Sequence, residues 1–289
     1  MKQKTLTSEL GILSKDMIEE HIIAHLSKGN RDPKPLIPLI PLYEIVSLVL
    51  YRLDSGCKWR QLPIRHFVPE AAIGWKTIYH HFRKWTKDGS WQKSWIHLLA
   101  SNHSELDMSS VQLDGSHTPA KKGGEAVGYQ GRKASNTTNS LFFADNSGQM
   151  IAMSTPQDGA HHDLFEIEKA FEEMNHQLKS AGIDTRGIFL NADAGFDSNE
   201  LRKICIRREI EANIKVNPRN VKQDNQEQHL FDEKLYEKRS AIERANAWVD
   251  GFKALLIRFE TTVSSWMAMH WIAFSVLFIK KINKRIKIT

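Results

Sequence analysis

Apolar positions change their period along the chain. Residues 43–53 (YEIVSLVLYRL) form an apolar helical stretch, and Trp75, Ile78, Phe82 and Trp85 recur at spacings of three and four, predicting a second helix with one buried face. Pro33, Pro35, Pro38 and Pro41 keep the preceding segment largely out of helix. From residue 110 the pattern shortens. Residues 110–114 (SVQLD), 139–145 and 149–154 read as strands, the last two joined by the turn residues Asn146, Ser147 and Gly148. Leu164, Ile167, Phe171, Met174 and Leu178 then share a helix face that Gly182 terminates. Residues 188–191 (IFLN) form a short buried strand running into Asp193. Asp197 or Ser198 caps a helix through Arg207, and residues 211–216 form another strand. Ile242, Ala245, Val249, Phe252, Leu256 and Phe259 predict one long helix from about Asp232.

The elements sort into two parts: a small all-α domain over residues 1–105, and an α/β domain over residues 106–289 ending in a basic tail, with the boundary near residues 104–109. The order in the second part is three strands, helix, strand, helix, strand, helix. That order matches the ribonuclease H-like fold, a mixed sheet flanked by helices. With 289 residues, 41% of them apolar, the chain can bury such a core. It carries no internal repeat. The two cysteines, Cys57 and Cys205, offer neither a disulfide framework nor a CxxC metal spacing, which fits a reducing cytosol. The amino terminus lacks the apolar run of a signal peptide. Residues 271–279 are the most apolar stretch and fall short of the ~20 residues needed to cross a bilayer, so they are expected to form a buried helix and no membrane partner is expected.

Charge refines this division. The net charge is +6, but residues 106–279 hold 24 acidic against 20 basic side chains, between two basic ends. Residues 52–93 carry nine Lys/Arg against three acids. Lys76, His80, Arg83 and Lys84 lie off the apolar face of the second helix, a pattern suited to a helix-turn-helix-like DNA contact or to an ordinary solvated face. Arg132 and Lys133 continue a basic loop that begins at Lys121 and Lys122; it lacks the GxxxxGK[ST] pattern, so nucleotide hydrolysis is not supported. His161, His162 and Asp163 look like a metal cluster, but adjacent side chains diverge, and capping by Asp163 at a helix start is the favoured reading. Trp248 and Trp266, on apolar helices, are expected in the core.

Three acids carry the candidate chemistry. Asp114 is expected at the end of the first strand and Asp193 after the fourth. In a sheet of this topology those strands are neighbours, and two facing carboxylates repel unless a cation lies between them. Glu243 shares a helix face with Tyr236, Arg239 and Ser240 and can supply a third carboxylate. Such oxygen donors suit Mg²⁺ or Mn²⁺, and a pair of ions roughly 4 Å apart supports in-line displacement at phosphorus. Taken singly, each acid reads first as a solvated or capping residue, as most Asp and Glu at strand and helix ends are.

Residues 113–145 (LDGSHTPAKKGGEAVGYQGRKASNTTNSLFFAD), 190–198 (LNADAGFDS) and 236–260 (YEKRSAIERANAWVDGFKALLIRFE), taken together, resemble the three catalytic blocks of bacterial DDE-type insertion-sequence transposases, nearest the insertion sequence five family. CKWRQLP (57–63) and WKTIYHHFRKW (75–85) resemble that family's helical domain, so the likeness spans roughly residues 40–280. It implies that Asp114, Asp193 and Glu243 are the catalytic, metal-binding triad. It also implies that Arg239 neutralises a phosphate near the scissile bond and that Tyr236 supports the glutamate or the DNA backbone. The family's signature places a lysine where this chain has Asp250; Lys253, one turn on, is the substitute. The interval from Asp193 to Glu243 is 50 residues, too short for a large inserted domain. The expected partners are double-stranded DNA, both terminal inverted repeats and target, and further copies of the chain in a dimer or larger assembly. A nuclease that cuts without joining, and an inactive relic or domesticated regulator that only binds DNA, are the rival readings.

Overall fold

The computed structural model describes residues 12–27, 40–69, 73–219 and 230–286. Pro33, Pro35 and Pro38 and the end of the basic tail lie outside them. In chain order the elements are α1 (Lys15–His21), α2 (Leu42–Ser55), α3 (Ile64–Phe67), α4 (Trp75–Lys87), α5 (Ser90–Ser101), β1 (Ser110–Pro119), β2 (Gly128–Gln130), β3 (Ser135–Asp145), β4 (Met150–Met153), β5 (Gln157–Asp158), α6 (Ile167–Ser180), β6 (Phe189–Ala192), α7 (Asn199–Arg207), β7 (Glu211–Ile214), α8 (Glu233–Glu237), α9 (Ser240–Asp250), α10 (Lys253–Leu256) and α11 (Val263–Ile286).

Two compact units emerge, and the chain passes between them more than once. One comprises Met1–Leu98, Val249–Ile257 and Ser264–Thr289; the other comprises Leu99–Trp248 and Arg258–Val263. The first unit is helical. Ile78, Phe82 and Trp85 bury one face of α4, whereas Trp75, expected on that face, is only half-buried against Tyr79. Trp95 of α5 meets Phe274 and Phe278 of α11 edge-on, at ring-centroid distances of 5.8 and 5.9 Å. Helix α11 is longer than its apolar run predicts. By length and composition its Val263–Lys284 stretch could cross a membrane, but 72% of the most apolar window is buried inside the structure, as for a core helix.

The second unit is built on a seven-stranded mixed sheet. Its order is β2-β3-β1-β6-β7, with β4 and β5 also paired to β3. β1 runs antiparallel to β3 and parallel to β6, which is parallel to β7. This is the ribonuclease H-like arrangement: an antiparallel meander extended by two parallel strands. The expected neighbours, first and fourth strands, are β1 and β6. Helix α6 buries Ile167, Phe171, Met174 and Leu178, and Phe171 packs edge-on against Phe143 of β3. Gly182, at φ +74, takes the left-handed conformation just past its end.

The single long helix expected from Asp232 is broken. Turns at Lys238–Arg239 and around Gly251 divide it into α8, α9 and α10, and the chain leaves helix again before Arg258. Ile242, Ala245, Val249 and Phe252 are buried as the stripe predicts, but Leu256 and Phe259 are 46% and 44% exposed. Trp266 is buried; Trp248 is 46% exposed and is not a core residue. Residues 258–263 rejoin the second unit beside the end of β1, where Arg258 N donates to Pro119 O and Lys121 N to Arg258 O.

Candidate functional site

All three predicted acids lie in the sheet unit. Asp114 stands in the middle of β1 rather than at its end, because β1 and β3 stay paired as far as Pro119. β6 pairs with β1 only over Ser110, Val111 and Gln112. Beyond that point Asp114 has no strand on its β6 side, and Asp193 follows directly after β6. Asp193 Oδ1 accepts from Gly195 N at 2.8 Å, which fixes the turn. Glu243 lies in the first turn of α9 with its side chain 64% exposed.

One cation reaches all three. Arg239, in the turn between α8 and α9, places Nη1 2.9 Å from Glu243 Oε1 and Nη2 3.4 Å from Asp114 Oδ1 and 3.5 Å from Asp193 Oδ2. Asn246 Nδ2 donates to the other Asp114 oxygen at 3.2 Å. Asp114 is the most enclosed of the three acids, and burial pushes its carboxyl up to about 6; Arg239 pulls it down, and Asp193 and Asp163 add like charge. Tyr236 neighbours the same groups. Burial raises its phenol, and of its charged neighbours Arg239 opposes that rise while Asp193, Glu243 and Asp114 add to it.

By chemical type, though not by their present spacing, the donors suit a divalent cation. The oxygens are hard carboxylates on three separate elements, and one guanidinium already lies within 3.5 Å of an oxygen from each. Among the described residues, no group of three or more His, Cys, Asp or Glu stands close enough together to hold a metal ion as placed. The guanidinium stands between them, and Arg239 Nε is buried without a hydrogen-bond partner.

Other predicted residues are distributed differently. Asp163 does not cap α6; its Oδ1 accepts from Asn139 Nδ2 at 2.8 Å, and a Cβ on Gly115 would come 2.4 Å from that oxygen. Arg132 and Lys133 are exposed after β2, where Lys133 Nζ donates to His117 O at 2.6 Å. Lys76 and His80 are exposed on α4, and Lys84 is half-buried; Arg83 is held by Ser265 Oγ at 2.6 Å. Lys253 belongs to the helical unit, with its Cβ against Gly56, whereas Glu243 belongs to the sheet unit. Asn246, which steadies Asp114, escaped the sequence reading; its signal was its position one helical turn after Glu243.

No curated protein matches the chain. Among solved structures, the Mos1 transposase paired-end complex with left transposon end is 11% identical, covering 87% of this chain and 81% of that one, at a TM-score of 0.28. The Mos1 mariner paired end complex with Mn is 12% identical over the same shares, at 0.29. Scores this low carry no fold assignment. Family models are more direct: residues 20–95 match the model described as "Putative transposase of IS4/5 family", and residues 108–278 match that of the DDE superfamily endonucleases. The second match spans more than half of the sequence and contains Asp114, Asp193 and Glu243, and on it the chain belongs to the DDE superfamily endonucleases, as a DDE transposase of the IS4/5 type.

Proposed function

We propose that the protein binds the terminal inverted repeats of its element, cleaves DNA there, and joins the released 3′-hydroxyl to target DNA. Asp114, Asp193 and Glu243 would hold two Mg²⁺ or Mn²⁺ ions. Such ions, when bound, activate the attacking oxygen and stabilise the leaving one in an in-line displacement. The observation that carries this reading is the convergence of the three carboxylates on the single guanidinium of Arg239.

This chain's residues supply position and charge. Asn246 orients Asp114, and the Gly195 amide orients Asp193. Arg239, once bound ions relieve it of the three carboxylates, would take a phosphate oxygen, and Tyr236 lines the same spot. No side chain need bond to DNA covalently. In the helical unit, Lys76, His80, Arg83 and Lys84 would meet the phosphate backbone, and in the sheet unit Arg132 and Lys133 would make a phosphate contact of their own. Lys253 stands in for the lysine of the family signature. Both element ends must be held at once, so a homodimer or larger assembly on DNA is expected, with affinity that falls as salt rises.

The test incubates purified protein with duplex DNA copied from both flanks of its gene, with Mg²⁺, with Mn²⁺ and with EDTA. Metal-dependent nicks at one defined position on each flank, followed by joined products with plasmid DNA, are expected. D193N should still shift the flank duplex in a gel while cleaving at least about 100-fold more slowly, a loss of about 2.7 kcal/mol. Nicks without joined products would favour a simple nuclease. Unchanged cleavage by D193N would overturn the site.

A further inference from the structure

Gln112, Asn191 and Asn213 stand in one row across β1, β6 and β7, since Gln112 pairs with Asn191 and Asn191 with Asn213. All three are buried. Buried amides are costly unless their donors and acceptors are met. Here they form a chain. Gln112 Nε2 donates to Ser110 Oγ at 2.8 Å, Asn191 Nδ2 to Gln112 Oε1 at 3.0 Å, and Asn213 Nδ2 to Asn191 Oδ1 at 2.8 Å.

The row also points off the sheet. Asn191 Nδ2 donates to Leu235 O and Asn213 Nδ2 to Asp232 O, both at 3.0 Å, while Asp232 N donates to Asn213 Oδ1 at 2.8 Å. These contacts grip main chain, so they fix the segment's register whatever its side chains. The segment has little other anchorage: α8 contains no buried residue, and Leu230 just before it is 92% exposed. Apolar residues in the row would bury the same sheet face but would let the segment slide. Arg239 begins four residues after Leu235, and Glu243 follows one helical turn later.

We propose that the Gln112–Asn191–Asn213 row is a positioning device for the active site. It fastens the Asp232–Leu235 main chain to the sheet and thereby sets the reach of Arg239 and Glu243 toward Asp114 and Asp193. None of the three amides touches the reacting groups. The inference rests on the metal-site reading above, and its test separates the two.

Spin labels at Glu200 and Glu237, both exposed and both in the sheet unit, report the distance from α7 to α8 in the metal-free protein, in a C57S background. Mn²⁺ affinity is measured on the same variants without labels. N213L should broaden the distance distribution of the folded protein and weaken Mn²⁺ binding about 10- to 100-fold, the range for residues that orient metal ligands. A merely structural role would lower the melting temperature without broadening the distance in the molecules that stay folded, and that result overturns the proposal. So does unchanged Mn²⁺ affinity in N213L when D193N abolishes binding, an outcome that leaves the metal site standing. Mn²⁺ binding unaffected by D114N and D193N would overturn the metal site and the row's role together. Should N213L fail to fold, N213S, which is polar but too short to reach Asp232, replaces it in both measurements.

Discussion

Arg239 Nη2 lies 3.4 Å from Asp114 Oδ1 although 125 residues separate the two in sequence. Without a divalent ion this contact is the main positive charge offered to an enclosed carboxylate, while the Arg239 pairs with Asp193 and Glu243, whose side chains are 43% and 64% exposed, are weakened by solvent. R239Q should therefore destabilise the protein in EDTA by about 1–3 kcal/mol, the range for leaving a buried polar group without its partner. The midpoint of urea denaturation checks this. Adding Mn²⁺ should shrink the difference, because the ion replaces the guanidinium. Weaker Mn²⁺ binding by R239Q than by the native protein would show instead that Arg239 holds the acids in place for the ion.

Asp114 gives the metal-free protein a pH dependence of definite sign. Its carboxyl titrates near 6 when folded, against 3.8 for the free side chain. Between those values the folded state binds the extra proton, so stability falls as pH rises from about 4 to about 6 and is level above. The full difference amounts to about 3 kcal/mol. Denaturation of native protein and D114N in EDTA at pH 4.5, 5.5 and 7 isolates it: the variant should gain on the native protein as pH rises. Parallel curves would show that Asp114 titrates normally.

Gly124 tests the seam where residues 258–263 return to the sheet unit. Its φ is +115, and a Cβ there would sit 2.4 Å from Thr261 O and 2.7 Å from Thr261 Cα. Both obstacles are main chain, and Glu125 N already donates to that same Thr261 O at 2.9 Å. G124A should cost about 2–3 kcal/mol from backbone strain and displacement, read as a lower melting temperature. Gly123, with φ +66 but open space around it, should tolerate alanine better, by about 1 kcal/mol or more. Equal losses at the two positions would mean that strain, not the Thr261 contact, dominates.

Five of the seven strands were legible as stretches that alternate with helical stripes, and adjacency of the first and fourth of these follows from their order; β2 and β5, too short to carry a period, were not. Asp193 was legible as the residue ending a buried run. Other features were hidden for physical reasons. Periodicity continues through Lys238, Arg239 and Gly251, so the breaks in the predicted long helix leave no trace in the apolar stripe. β1 runs on past Asp114 because β3 pairs with it, an interaction between distant segments. Asp163 precedes a helix and looks like a cap, yet Asn139 and the bare backbone of Gly115 claim it. The amide row on β1, β6 and β7 appears in sequence as three unrelated polar residues far apart along the chain.

Asp197 and Arg202 make the last prediction. The sequence left Asp197 and Ser198 as alternative caps for α7; Ser198 takes that role, accepting from Leu201 N at 3.2 Å. Asp197 instead pairs with Arg202 at 2.8 Å, with both side chains more than nine-tenths buried. Arg202 Nη2 also donates to Ile214 O at the end of β7, and Asn217 N donates to Asp197 Oδ2 at 2.8 Å. The pair thus ties the turn carrying Asp193 to the neighbouring strand. Removing one partner leaves a buried charge uncompensated, so R202A should cost about 3–5 kcal/mol, whereas R202M paired with D197L should cost far less. If the pair serves only packing, the double variant will recover both stability and Mn²⁺ affinity. If it also holds Asp193, stability will return while Mn²⁺ affinity stays low, because apolar side chains cannot bind the Asn217 amide and the Ile214 carbonyl that fix this turn.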